Sequence, residues 1–241
     1  MHKKIFLKIL LICSIIFSQN QWGGISVATP DNLDAITINP SGLGLNRESQ
    51  TGLYIPFNSN FSIYSANRFN GFGYDLKYDF IDGNIPNVFN PADGNIGIGF
   101  SIFNNAYAGT KWNKHKLIDF GFLYRPYNFI SIGFVTQYDE SLSNNINSTL
   151  GIALRPISFL KHKFTFGVDL KKLNNDFDTN FEISPHMSLK PLDGVSIDIK
   201  YNLTSNDVKL NLGLNFGKQT INSHISYNEA KEIYSGLGYY T

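Results

Sequence analysis

Three acid–base pairs recur with one spacing, Asp75-x-Lys77, Asp169-x-Lys171 and Asp198-x-Lys200. Residues two apart in an extended chain share a face, so each pair sets a carboxylate beside an ammonium on one side of a strand. Asp119, Arg125 and Lys209 fall on the polar faces of their own segments. A ring of such charges in a channel selects a solute; a mutually paired network instead fills a narrow interior and keeps buried charge satisfied. The balance of acids and bases favours the paired network. Other chemistry finds no residues. There is no Gly-x-Ser-x-Gly elbow, no phosphate-cradling Gly-Lys loop and no His-Glu-x-x-His, and His115, His162, His186 and His224 stand apart without ligand spacing. No catalytic, cofactor-binding or metal-ligating residue is nominated, no cofactor is implied, and an enzyme is not expected. With 20 Lys and Arg against 19 Asp and Glu, nothing suggests a nucleic-acid partner.

The elements that carry these charges are strands. In 194–204, Val195, Ile197, Ile199, Tyr201 and Leu203 alternate with Ser196, Asp198, Lys200, Asn202 and Thr204. In 208–217, Val208, Leu210, Leu212, Leu214 and Phe216 alternate with Lys209, Asn211, Gly213, Asn215 and Gly217. The same period of two runs through 117–125, 129–138 and 164–171. It places one face in an apolar medium and the other in a polar one. The segments reach roughly 9–11 residues, the length of a tilted strand crossing a bilayer, and their apolar faces end in Tyr124, Tyr138, Tyr201, Phe216 and Tyr227, where an aromatic girdle belongs. Charged side chains on the lipid side cost about 2–4 kcal/mol at mid-membrane for Lys or Arg, so the acid–base pairs are expected to point inward.

Composition agrees: 15% of residues are aromatic and 16% charged. The expectation is an all-β, transmembrane, antiparallel up-and-down barrel in an outer membrane. Export is provided for at the start of the chain. His2, Lys3 and Lys4 precede an apolar run from Ile5 to Phe17, and Ser18 suits cleavage. Residues 1–18 are therefore a signal peptide, 19–49 a lead-in and 50–241 the barrel. Cys13 is the single cysteine and lies in the signal, which leaves no disulfide or Cys-based metal site afterwards.

Strands end at Arg125-Pro126, Arg155-Pro156 and Lys190-Pro191, because proline has no N–H for the ladder. The turns after Pro126 and Pro191 are short, whereas Asp139–Asn145 and Asn174–Thr179 are longer and polar. Short turns belong to the periplasmic side. Counting back from a descending 232–240, with 95–104 ascending and 60–80 taken as one bent strand, gives about 12 strands; 14 follows if 71–94 supplies a further hairpin.

In the lead-in, Thr29 can cap a helix, Pro30 suits its first position, and Asp31 and Asp34 suit its positive end. Asn39-Pro40 breaks that helix, while Gly42 and Gly44 permit tight turns. The stretch Asn39-Pro40-Ser41-Gly42-Leu43-Gly44 resembles the Asn-Pro-Ala-Gly-Leu segment that opens barrels of the long-chain fatty acid transporter superfamily, and is similar to PorV-type proteins of the type IX secretion system. The pieces 118–126, 151–156, 191–194 and 212–217 look closer still to the barrel-like N-terminal region of some SppA-type signal peptide peptidases. The peptidase domain of such fusions would lie beyond Thr241, so no protease activity carries over.

The resemblance implies a lead-in tucked into or under the barrel as a hatch. A physical argument agrees: Leu33, Ile36, Ile38, Leu43 and Leu45 are apolar, precede the strands and need a dry place. Two functions follow. One is transport-like, the passage or capture of a small or hydrophobic solute, with 19–49 as a gate. The other is a structural anchor or secretion-system accessory that binds a protein partner through a patch such as Asn104–Trp112. Lipid of the outer membrane surrounds the barrel in either case.

Overall fold

A computed structural model describes Trp22 and residues 24–57, 62–80, 91–139, 144–155, 164–174, 179–216, 219–227 and 233–241. The export signal, Cys13, Pro156 and His162 lie outside these residues.

Fourteen strands form one closed barrel, each antiparallel to its neighbours in sequence. They are β1 Gln50–Pro56, β2 Ser62–Phe69, β3 Phe72–Asp79, β4 Asp93–Phe103, β5 Ala106–Asn113, β6 Leu117–Tyr127 and β7 Ile130–Asp139. The second half comprises β8 Asn144–Leu154, β9 Phe164–Asn174, β10 Thr179–Leu192, β11 Val195–Tyr201, β12 Val208–Phe216, β13 Gln219–Tyr227 and β14 Ile233–Tyr240. The ring closes where β1 meets β14, from Gly52 opposite Tyr240 to Pro56 opposite Gly236. Closure leaves no unpaired edge, which is what a strand needs in a medium without water.

Alternation sorts the side chains. Phe100, Phe120, Phe122, Leu150, Ile152, Phe166 and Val168 are exposed on the outside, while Asp75, Lys111, Asp119, Asp169 and Asn211 are buried. An apolar skin around a polar interior is the pattern of a membrane barrel. Two-residue connections at 70–71, 104–105, 128–129 and 193–194 lie at one end, together with the start of β1 and the end of β14.

The strand count corrects the expectation of 12. The stretch 60–80 is a hairpin rather than one bent strand, turning at Asn70-Gly71 with Phe69 paired to Phe72 and Gly71 at φ +80°. The second addition is β5, which runs through the stretch read as an outer loop; only Asn104 and Asn105 form its turn, with Asn105 at φ 65°. The total of 14 is that of the alternative, but 71–94 supplies one extra strand, β3, paired in a hairpin with 62–69, and the other is β5, so β4 runs opposite to the direction expected for 95–104. The prolines also differ in detail. Pro126 and Pro191 sit within register shifts between Tyr124 and Tyr127 and between Leu189 and Leu192, so each strand continues past its proline. A bulge leaves one residue unpaired, and a missing N–H costs nothing there.

Residues 24–45 lie inside the barrel. Two short 3-10 turns, Leu33–Ile36 and Pro40–Gly44, pack against β1–β6. Leu33, Ala35, Ile36 and Leu43 join Trp22, Tyr54 and Ala66 in the apolar core. The helix expected to start at Thr29 and Pro30 is instead this single turn beginning at Leu33, with no side chain capping it. Asp31 is drawn away from the turn by arginines of the wall, which outweigh a helix dipole. Asn39-Pro40 opens the second turn rather than only ending the first: the Asn39 side chain accepts from the Ser41 N–H and Pro40 takes the first position.

Candidate functional site: a plugged lumen and its cavity

The inner segment, or hatch, is held at several points by side chains that the strand pattern turns inward. Asp31 is the most heavily held. Arg125 meets it at 2.6 Å, Arg155 at 3.0 Å and Arg47 at 3.4 Å. Arg125 and Arg155 stand at strand ends, where the short-turn mouth of the barrel meets the hatch. Burial works against the Asp31 charge, but the Arg125 and Arg155 guanidiniums outweigh it and hold the carboxyl below its ordinary range. Beside it, Ser131 Oγ donates to the Ala28 carbonyl at 2.5 Å.

Arg68 of β2 takes the opposite role. It is buried, and its guanidinium donates to the carbonyls of Asp31, Asn32, Gly42 and Leu45 at 2.8–3.2 Å. One side chain thus ties four hatch carbonyls to the wall, two of which, those of Asn32 and Gly42, also accept from the Ala35 and Leu45 N–H groups. Lys111 of β5 does the same for Thr37, at 3.1 Å, while pairing with Asp119 at 2.7 Å. Asn39 donates to the carbonyls of Val27 at 2.7 Å and of Phe122, in the wall, at 3.2 Å. Residues 24–28 run across the lumen and are held by a third group. Ser26 Oγ donates to Asp169 at 2.7 Å, and Lys200 donates to Asp169 at 2.6 Å and to the Ile25 carbonyl at 2.8 Å.

Glycines in the wall set how closely the hatch approaches. A Cβ on Gly109 would meet the Pro40 carbonyl, and one on Gly99 would sit 2.6 Å from the Gly44 nitrogen. The Asn39–Gly44 motif therefore lies in a groove where backbone meets backbone, which only a residue without a side chain permits.

Among the sequence-derived charges, the structure brings some together and leaves others apart. Asp169 and Lys200 meet across β10, Asp119 pairs with Lys111, and Arg125 holds the hatch. Lys77 pairs with Asp79 at 2.9 Å and Lys171 with Glu182 at 3.7 Å, rather than with Asp75 and Asp169. Asp75 accepts from the side-chain amide of Asn95 at 2.6 Å. Asp198 lines the cavity described next, and Lys209 stands opposite Lys200 in register. Sequence reasoning missed Ser26, Arg68 and Lys111, and gave Asp31 and Arg155 other roles. Arg68 falls in the stretch expected as one bent strand and Lys111 in one expected as a loop, so the inward direction of these two cations was not readable.

The hatch does not fill the barrel. Beside it, towards β9–β13, lies a cavity of about 920 Å³. Its wall carries Thr165, Ser188, Ser196, Asn215, Thr220 and Asn222, and its hatch side presents Asp31, Asn32 and Asp34. Asp34 is buried against the Asn32 N–H at 2.7 Å, and burial pushes its carboxyl up to about 7.

No protein-family model and no curated protein matches the sequence. Solved structures are similar to the chain. The outer membrane protein Omp33 of Acinetobacter baumannii matches with a TM-score of 0.56 at 8% identity, over 82% of this chain and 98% of its own. A triple mutant of the Rhodopseudomonas blastica porin matches with a TM-score of 0.48 at 8% identity, over 80% and 96%. The first of these likenesses shows the fold, a closed β-barrel of the kind solved for an outer membrane protein.

Proposed function

We propose that the protein is an outer-membrane, transport-like barrel in which residues 24–45 gate the passage of small polar solutes. The observation that carries this reading is the way the hatch is held. Most of its anchors are polar contacts to the wall, at Asp31, Arg68, Asn39 and Lys200, with one apolar cluster near Trp22, and an open cavity flanks it. Polar anchors exchange for water at modest net cost, so such a plug moves without unfolding the ring around it. The likeness to an outer membrane protein supports the location, with residues 1–18 as the export signal and the short-turn end towards the periplasm. The polar lining of the cavity favours a polar solute over a fatty acid, although the placement of the Asn39–Gly44 motif fits the resemblance to the fatty acid transporter superfamily. The anchor reading is weakened by β5, which turns the patch nominated at Asn104–Trp112 into barrel wall.

Conductance in planar bilayers tests this. The intact barrel is expected to open rarely. Asp31→Asn removes the shared carboxylate of Arg125, Arg155 and Arg47, and charge-assisted bonds of this kind are worth about 1.5–3 kcal/mol. The open fraction is then expected to rise about 10- to 100-fold. A folded Asp31→Asn barrel as silent as the wild type would defeat the gated reading.

A further inference from the structure

The lumen wall has two unlike halves. On β4–β7 the inward positions Gly99, Gly109, Gly121 and Gly133 press against hatch backbone. On β9–β13 the inward positions carry hydroxyls and amides and face the cavity. The cavity of about 920 Å³ therefore runs beside the second half. It ends where residues 24–28 cross the lumen, pinned by Lys200 at the Ile25 carbonyl.

Charge at that crossing is uneven. Asp169 is taken by Lys200 and Glu182 by Lys171. His186 lies opposite Lys200 on the neighbouring strand, buried, with neither ring nitrogen hydrogen-bonded. Lys209 faces Lys200 from β12, and among the described residues no carboxylate pairs with it. Asp207, next to it in sequence but one, accepts instead from the Ser205 hydroxyl at 2.6 Å. In the cavity before the crossing, Asp198 is offset by Lys190 on β10. An unmatched cation in a low-dielectric wall raises the local concentration of anions, and rings of Lys or Arg select anions in pores.

We propose that solutes pass along the β9–β13 wall, and that Lys209, with Lys200 facing it, makes this passage selective for small anions. The proposal rests on the gated reading and names its solute class. Lys200 has two parts in it: it pins residues 24–28 while the barrel is shut, and it lines the path when they move.

The test is the reversal potential of the Asp31→Asn barrel in bilayers of zwitterionic lipid under a KCl gradient. The expected result is a chloride preference that falls to near zero with Lys209→Gln and is kept with Lys209→Arg. Lys209 is half-buried and makes no ion pair among the described residues, so its replacement is expected to leave the fold intact. The pair Asp169→Asn with Lys200→Gln, which removes both charges of the pin together, is expected to raise the open fraction without Asp31→Asn. A conducting barrel that prefers potassium, or whose chloride preference survives Lys209→Gln, overturns anion passage and leaves the gate standing. Silence in every variant overturns both.

Discussion

Asp31 and Asp34 lie three residues apart in the hatch and respond to opposite ends of the pH scale. Asp31 is held below its ordinary value of 3.8 by Arg125 and Arg155 against the pull of burial, so its contribution to docking is present above that value and lost only in stronger acid. Asp34 is raised from 3.8 to about 7 by burial. A raised carboxyl favours the docked state while protonated: its contribution is complete below pH 3.8 and is lost as pH rises through about 7. Between those values docking therefore weakens through Asp34 alone of the two. Trp22, buried with Leu33 and Ile36, reports on this. In a Trp112→Phe background it is the only tryptophan, since the chain has two. Acrylamide quenching of Trp22 is expected to increase from about pH 5 to about pH 8, and Asp34→Asn is expected to flatten the profile. A rise that persists in Asp34→Asn would assign the effect to another group.

At the scale of elements, the strands and the groove between them decide where the hatch rests. Gly109 on β5 touches the Pro40 carbonyl and not a strand neighbour, so a larger residue there pushes on the hatch alone. Gly109→Val is expected to cost about 1–3 kcal/mol of docking, the usual range for overpacking, and to raise conductance while leaving the β-sheet circular dichroism unchanged. Gly213→Val is the control: its Cβ would meet Ser196 and Asn222, away from the hatch. The long strands were legible because ten residues of strict alternation admit one reading. The short ones were not. In 62–79 the pattern carries lumen-facing Tyr64 and Ala66 among polar residues, because this part of the wall faces the apolar hatch and not water. The Asn70-Gly71 dipeptide was nonetheless a hairpin signal in plain view. The partners of the charges were less readable still, since Asp31 meets Arg125 and Arg155 across more than ninety positions of sequence.

For the molecule as a whole, ring and plug are separable in their bonding. Every strand finds both hydrogen-bonding neighbours among the other strands, and none pairs with the hatch. The inner face of the wall is largely glycine and polar groups that water can satisfy. The apolar side chains that the hatch covers are few, among them Tyr54, Ala66, Leu123, Val135 and Ala153. Removing residues 24–45 therefore exposes little apolar surface, at about 25 cal/mol per Å², but strips partners from Arg68, Arg125, Arg155, Lys111 and Lys200. Those cations then face a water-filled lumen, where solvation replaces the lost carbonyls and carboxylate. The truncated chain is expected to form a detergent-resistant barrel that still shifts in mobility on heating, with a lower thermal midpoint and a permanently open conductance. The midpoint isolates the hatch's share of stability, and the conductance isolates its share of closure. A truncated chain that fails to close its ring would mean that the hatch is a folding template rather than a gate, because nothing in the strand ladder itself requires it.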